Sequence, residues 1–121
     1  RLLVVDDDPN AHEMITQLLD DSGYLIRAVS DGDQALAAIR TETPDIILLD
    51  LLMPNLDGFG VIEKLRQDPE TCHIPIIILT AKSLSQTEAD HLASCIVSVI
   101  QKQDLRGETL LQTIESAMTQ A

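Results

Sequence analysis

The sequence predicts an α/β fold: a doubly wound, five-stranded parallel sheet with helices on both faces. Three observations lead there. Aliphatic runs recur at residues 2–5, 25–29, 46–49, 76–79 and 96–100. Three of these are continuous apolar blocks bounded by Asp, Pro or Thr, the pattern of strands buried on both faces beneath covering helices. Segments with helical spacing lie between the runs, and such strand–helix alternation builds right-handed crossovers on a parallel sheet.

The first run ends in Asp6-Asp7-Asp8. Asp8-Pro9 then sets a capping acid before a proline at the first helical position. Met14, Ile15, Leu18 and Leu19 form the stripe of that first helix, and Gly23 fits its C-terminal end. The second run ends in Ser30 and Asp31, and Asp31 with Gln34 has capping-box spacing ahead of Ala35, Leu36 and Ile39. The third run ends in Asp50, followed by a helix striped with Val61, Ile62 and Leu65. Thr80 and Ala81 close the fourth run. Ser85 with Glu88 then marks a helix start, although Ala89 and Leu92 give that helix the weakest stripe. The fifth run leads to Lys102, and Leu110, Leu111, Ile114 and Met118 stripe the last helix.

A length of 121 residues suits a single domain over residues 1–121 and no second core. The chain starts with Arg1 rather than Met and enters an apolar run at once, so a fragment of a longer chain is expected. The N-terminal residues do not read as a signal peptide, and a cytoplasmic location is expected. With 45% hydrophobic residues it is too rich in aliphatics to be disordered. No run approaches the roughly 18 apolar residues of a spanning helix. Eight Lys+Arg against 20 Asp+Glu give a net charge of −12, which repels nucleic-acid backbones and anionic membranes. Tyr24 and Phe59 are the only aromatic residues, so base-stacking surfaces are missing and the core must be aliphatic. Cys72 and Cys95 lack metal-ligand spacing and read as free thiols in a reducing compartment.

In an open α/β sheet, ligands bind beyond the carboxyl ends of the strands. The first, third, fourth and fifth strands would bring Asp6, Asp7, Asp8, Asp50, Thr80 and Lys102 to that edge. Crowded carboxylates repel one another, and a cation offsets the repulsion. Donors that are all oxygen favour a hard ion, Mg²⁺ above others, which keeps waters and leaves room for a phosphate oxygen. Each residue also has a plainer reading. Asp8 suits a helix cap better than a ligand, any one acid could be a solvated loop residue, Thr80 a strand end and Lys102 a surface charge. The coincidence of acids, hydroxyl and ammonium on one edge favours a site.

Leu3-Val4-Val5-Asp6-Asp7-Asp8-Pro9, Ile47-Leu48-Leu49-Asp50-Leu51-Leu52-Met53-Pro54, Asp57-Gly58, Leu79-Thr80-Ala81 and Lys102 together resemble the response-regulator receiver domains of two-component signalling. The resemblance runs in order over essentially the whole chain. It implies the flavodoxin-like strand order 2-1-3-4-5. It also implies that Asp50 accepts a phosphoryl group from a phosphohistidine, with slow loss of the aspartyl phosphate and no turnover chemistry of its own. Asp6, Asp7, Asp50 and the Leu52 carbonyl would hold Mg²⁺, Asp6 close by and through water. Lys102, Thr80 and the Ala81 N–H would meet phosphoryl oxygens. The implied partners are a histidine kinase or a histidine phosphotransfer domain, with kinase or output domains attached. In-line transfer requires the donor histidine to approach the open edge, so docking is expected on the first helix, where Ala11 and Met14 lie, and on the loops beside Asp50. Residues 84–111 look more like receivers fused to hybrid histidine kinases than like those of transcription factors.

Some positions depart from the family pattern. Gln103 replaces the proline that usually follows the lysine, so a trans bond is expected there. Val99 stands where the family usually has Tyr or Phe, and valine cannot swing inward as an aromatic ring does. Ser94-Cys95 lies where Gly-Ala is usual. Rival readings fit less well. A receiver reduced to an interaction module would be expected to lack some of these groups, and all are present. An aspartyl-nucleophile phosphohydrolase of the haloacid-dehalogenase type needs Asp-x-Asp, but Leu51-Leu52 follow Asp50. Ala11-His12-Glu13-Met14 superficially resembles the histidine box of sensor kinases, yet His12 lies just after a strand and reads as an exposed helix residue. His73 and His91 have no partners at metal-ligand spacing.

Overall fold

Alternation of side chains along each strand sends successive aliphatic residues to opposite faces of the sheet. Leu3, Val5, Ile47, Leu49, Ile76 and Ile78 enter one core, while Leu2, Val4, Ile46, Leu48, Ile77 and Leu79 enter the other. A strand apolar at every position therefore requires helices on both sides. The computed structural model, which describes residues 2–19, 23–50, 58–80, 98–101 and 107–120, shows this arrangement. The strands are β1 (Leu2–Val5), β2 (Ile26–Val29), β3 (Ile46–Leu49), β4 (Ile76–Thr80) and β5 (Ser98–Gln101). The described helices are α1 (Pro9–Leu18), α2 (Gly32–Thr41), α3 (Gly58–Gln67) and α4 (Gly107–Gln120).

The sheet order is β2-β1-β3-β4-β5, with every pairing parallel. Ala35, Ala38 and Ile39 of α2 and Val61, Ile62 and Leu65 of α3 cover one face. Ile15 of α1, Leu19 just beyond it, and Leu110 and Ile114 of α4 cover the other. The order expected from the resemblance and the two-sided cover are both present. The proposed helix near Ala89 and Leu92, with its Ser85–Glu88 cap, lies outside the described residues.

Local signals set the helix starts. Asp8, in extended conformation, accepts from the Asn10 N–H at 2.9 Å, with Pro9 opening the helix. Asp31 caps α2 by accepting from the Gln34 N–H at 2.8 Å. The Gln34 side chain reaches back to the Ser30 N–H at 3.1 Å, one residue earlier than a reciprocal capping box would place it.

Three expectations need correction. The buried row of α1 is Ala11, Ile15 and Leu19, whereas Met14 and Leu18 are 37% and 36% exposed. The row of α1 that meets the sheet is Ala11 and Ile15, continued by Leu19 at its cap, so Met14 and Leu18 fall on the solvent flank. Gly23 does not cap α1. Leu19 is the cap residue, and Gly23 takes φ +82° in the turn before β2, a left-handed conformation that glycine adopts without strain. The second strand begins at Ile26, and Leu25 is 71% exposed, although its carbonyl still accepts from the Leu2 N–H. This is the edge strand, where one flank and the end residues meet water.

Tyr24 leans against the core beneath α1 and α4. Burial, and then the charge of Glu115, hold its phenol above the ordinary range near about 10. The neutral phenol's contribution to stability is fully present below the ordinary pKa and is lost as pH rises through the raised one. As the sole tyrosine in a chain without tryptophan, it gives a clean ultraviolet titration. Its ionisation is expected at higher pH in the folded chain than in urea, and Glu115→Gln should move it part of the way back.

Candidate functional site

Val5 of β1 lies opposite Leu49 of β3, and the next residue on each strand is an acid. Backbone pairing continues past the strand ends. The Asp6 N–H donates to the Val29 carbonyl at 3.1 Å, and the Asp50 N–H donates to the Val5 carbonyl at 2.9 Å. The ladder therefore sets two carboxyl groups level on adjacent strands at the carboxyl edge. Asp6 is 1% exposed and Asp50 4%, the only buried acids among the described residues. Asp7 follows and is exposed. One oxygen from each of Asp6, Asp7 and Asp50 lies within 4.8 Å of the others.

The link from β1 into α1 is built by its own acids. Asp6 Oδ1 accepts from the Asp8 N–H at 2.9 Å, and Asp8 Oδ1 in turn accepts from the Asn10 N–H. Each aspartate grips the backbone two residues ahead, the local bond for which Asp is favoured in turns. Asp8 thus serves α1 as its cap and stays outside the triad of acids. His12, expected to be an exposed helix residue, is half-buried, and its Nε2 donates to the Asp6 carbonyl. A polar side chain in the first helical turn was visible in the sequence, but its reach depends on the angle at which α1 leaves the sheet.

Thr80 ends β4 in register with Gln101 on β5, so the fourth and fifth strands do reach the same edge. Leu52, Ala81, Lys102 and Gln103 lie outside the described residues. Ser30 and Asp31 belong to the start of α2 and do not join the acids. Val99, on β5, is 40% exposed. A cavity of about 160 Å³ lies between Leu2, Leu25, Arg27, Glu42 and Pro44, at the opposite end of β1 and β2 from the acids.

Three carboxylates at this spacing repel, and a divalent cation among them offsets that repulsion. The donors are all oxygen, which fits a hard ion such as Mg²⁺ and leaves coordination positions for water or a phosphate oxygen. Among the described residues, no helix is long and apolar enough to cross a membrane.

The family model for the response regulator receiver domain matches residues 2–115. The DNA-binding response regulator MtrA of Mycolicibacterium smegmatis is 46% identical over 83 residues, covering 69% of this chain and 35% of that protein. The chain thus spans about a third of the length of the DNA-binding regulators it matches. Protein PilH of Pseudomonas aeruginosa is 33% identical over 118 residues, covering 98% of this chain and 97% of that protein. Among solved structures, the receiver domain of sensor histidine kinase PA1611 from Pseudomonas aeruginosa superposes with a TM-score of 0.86 at 27% identity, covering 98% of this chain and 96% of that chain. That structure has a magnesium ion coordinated in its active-site cleft.

The different geometry of Asp7 and Asp8 makes a direct expectation. Asp8→Ala should cost about 0.5–2 kcal/mol in urea unfolding, the usual loss of a helix cap, and leave Mg²⁺ affinity unchanged. Asp7→Asn should do the reverse. Calorimetric titration with Mg²⁺ beside the unfolding curves checks both, and equal loss of Mg²⁺ affinity in the two variants would contradict the assignment.

Proposed function

The chain belongs to the response-regulator receiver-domain family of two-component signalling, and from that premise we propose that it is a working phosphoacceptor whose nucleophile is Asp50. The observation that carries this reading is the pair of buried acids, Asp6 and Asp50, level on adjacent strands with Asp7 within reach. A carboxylate oxygen of Asp50 attacks the phosphorus of a phosphohistidine. A P–O bond forms and the P–N bond breaks, with the electron pair leaving on the imidazole nitrogen, which takes up a proton. Asp6, Asp7, Asp50 and the Leu52 carbonyl would hold Mg²⁺, which when bound spreads the charge of the transferring group. Lys102 and Thr80 would bind two phosphoryl oxygens, with the Ala81 N–H beside Thr80. Rigid strand ends hold Asp50, so little reorganisation is needed as the donor approaches.

The donor would be a histidine kinase or a histidine phosphotransfer domain. The lengths of the DNA-binding relatives and the likeness to the receiver of a sensor kinase both support attachment to a longer protein, with an output or kinase domain. Dependence on a phosphohistidine donor would suit a cytoplasmic location.

Acetyl phosphate with Mg²⁺ should add one phosphoryl group to the chain, and Asp50→Asn should abolish the addition. Intact-mass analysis checks this, and undiminished labelling of the variant would move the acceptor elsewhere. Donor docking is the second expectation. Ala11 is in the core, so the accessible large apolar residues of α1 are Met14 and Leu18. Met14→Glu should slow phosphotransfer from the cognate donor about tenfold, the size of a modest interface contact, without changing labelling by acetyl phosphate. Equal rates from the protein donor would place docking on another face.

A further inference from the structure

Between the end of β1 and the start of α1 the chain has three residues, Asp6, Asp7 and Asp8, in which to reverse direction. Asp6 is held there at several points. Its N–H is bonded to β2, its Oδ1 accepts from the Asp8 N–H, and its carbonyl accepts from His12 Nε2. The last bond acts on a different element of geometry from the others. The Asp6 carbonyl belongs to the peptide plane that leads into Asp7, so the orientation of that plane decides where the Asp7 side chain points. A carbonyl oxygen only accepts, so Nε2 carries the hydrogen. The backbone that carries the ring is held in the helix: the His12 N–H donates to the Asp8 carbonyl at 3.4 Å, and the His12 carbonyl accepts from Thr16 Oγ1 at 2.8 Å.

We propose that His12 is a positioning residue for the acid cluster: its ring N–H anchors the Asp6 carbonyl and so orients the peptide that presents Asp7 to Asp50. This rests on the reading of Asp6, Asp7 and Asp50 as the acids that hold the cation. Groups that orient metal ligands from behind commonly change metal affinity by about 10–100-fold when removed. A residue that merely pinned helix to sheet would change stability and leave affinity alone.

Two variants separate these roles. His12→Phe keeps a ring without a donor, and His12→Gln keeps a donor without the ring. Mg²⁺ affinity would be measured by calorimetry, stability by urea unfolding, and the ring's protonated nitrogen by long-range proton–nitrogen NMR of the unmodified chain at neutral pH. The expected results are a protonated Nε2, about a tenfold weaker Mg²⁺ affinity in His12→Phe, and recovery of most of that affinity in His12→Gln. A ring carrying its hydrogen only on Nδ1 would overturn the proposal, as would wild-type affinity in a folded His12→Phe. Should His12→Phe fail to fold, His12→Leu takes its place: about a tenfold loss that His12→Gln recovers supports the role, and wild-type affinity in a folded His12→Leu overturns it. Asp7→Asn tells the two readings apart. Mg²⁺ binding that ignores Asp7→Asn overturns both, whereas binding that responds to Asp7→Asn but not to His12→Phe overturns the positioning role alone.

Discussion

The parallel register between β1 and β3 is the constraint on which the rest of the molecule depends. With Val5 opposite Leu49, the acids that follow are forced level, and the Asp50 N–H bond to the Val5 carbonyl closes the arrangement. Left to themselves, two carboxylates would separate in water. The aliphatic cores above and below the sheet oppose that separation. A slip of one residue would turn each strand over and exchange its side chains between the two cores. Ile46, Ile47, Leu48 and Leu49 are all buried, so the third strand has no exposed face to tolerate a slip. Burial of many neutral side chains thus stabilises a charged edge that is unfavourable in itself.

That edge joins two kinds of support. Asp6 and Asp50 stand at the ends of paired strands, where backbone hydrogen bonds limit movement. Asp7 stands on a turn held by side chains, through the Asp6–Asp8 bond and His12. The buried pair supplies a rigid floor, and the exposed acid completes the cluster from the solvent side. A cation and a phosphoryl group both need this combination of fixed donors and an open approach.

The first helix connects the acids to the outer surface. Its N-terminal turn carries the cap Asp8 and the ring of His12, its inner row packs on the sheet through Ala11 and Ile15, and its flank leaves Met14 and Leu18 in solvent. A partner resting on that flank would touch the element that braces the acid turn. Docking and site geometry would then share one short, rigid body.

Much of this was legible in the sequence because it rests on local chemistry or on simple periodicity. Unbroken aliphatic runs demand cover on both faces, Asp8-Pro9 and Asp31 announce helix starts, and acids after the first and third runs must arrive at a common edge once those strands are parallel. The resemblance carried by the acid, Thr-Ala and lysine motifs added the strand order. Other features needed the packed chain. A hydrophobic stripe cannot say which of its residues the sheet will cover, so Met14 and Leu18 emerged on the solvent flank of α1. Composition cannot say that Leu25 lies outside an edge strand. Nothing in the spacing of His12 shows that its ring meets the carbonyl six residues earlier, because that contact is set by the crossing of helix and strand. The sequence by itself determined the order of the described strands and helices, the N-caps Asp8 and Asp31 and the acids at the carboxyl edge, since these follow from periodicity and nearest-neighbour chemistry. The tertiary structure alone decided which acids are buried, how near they come and what braces them, since these depend on register and on the angle between packed elements.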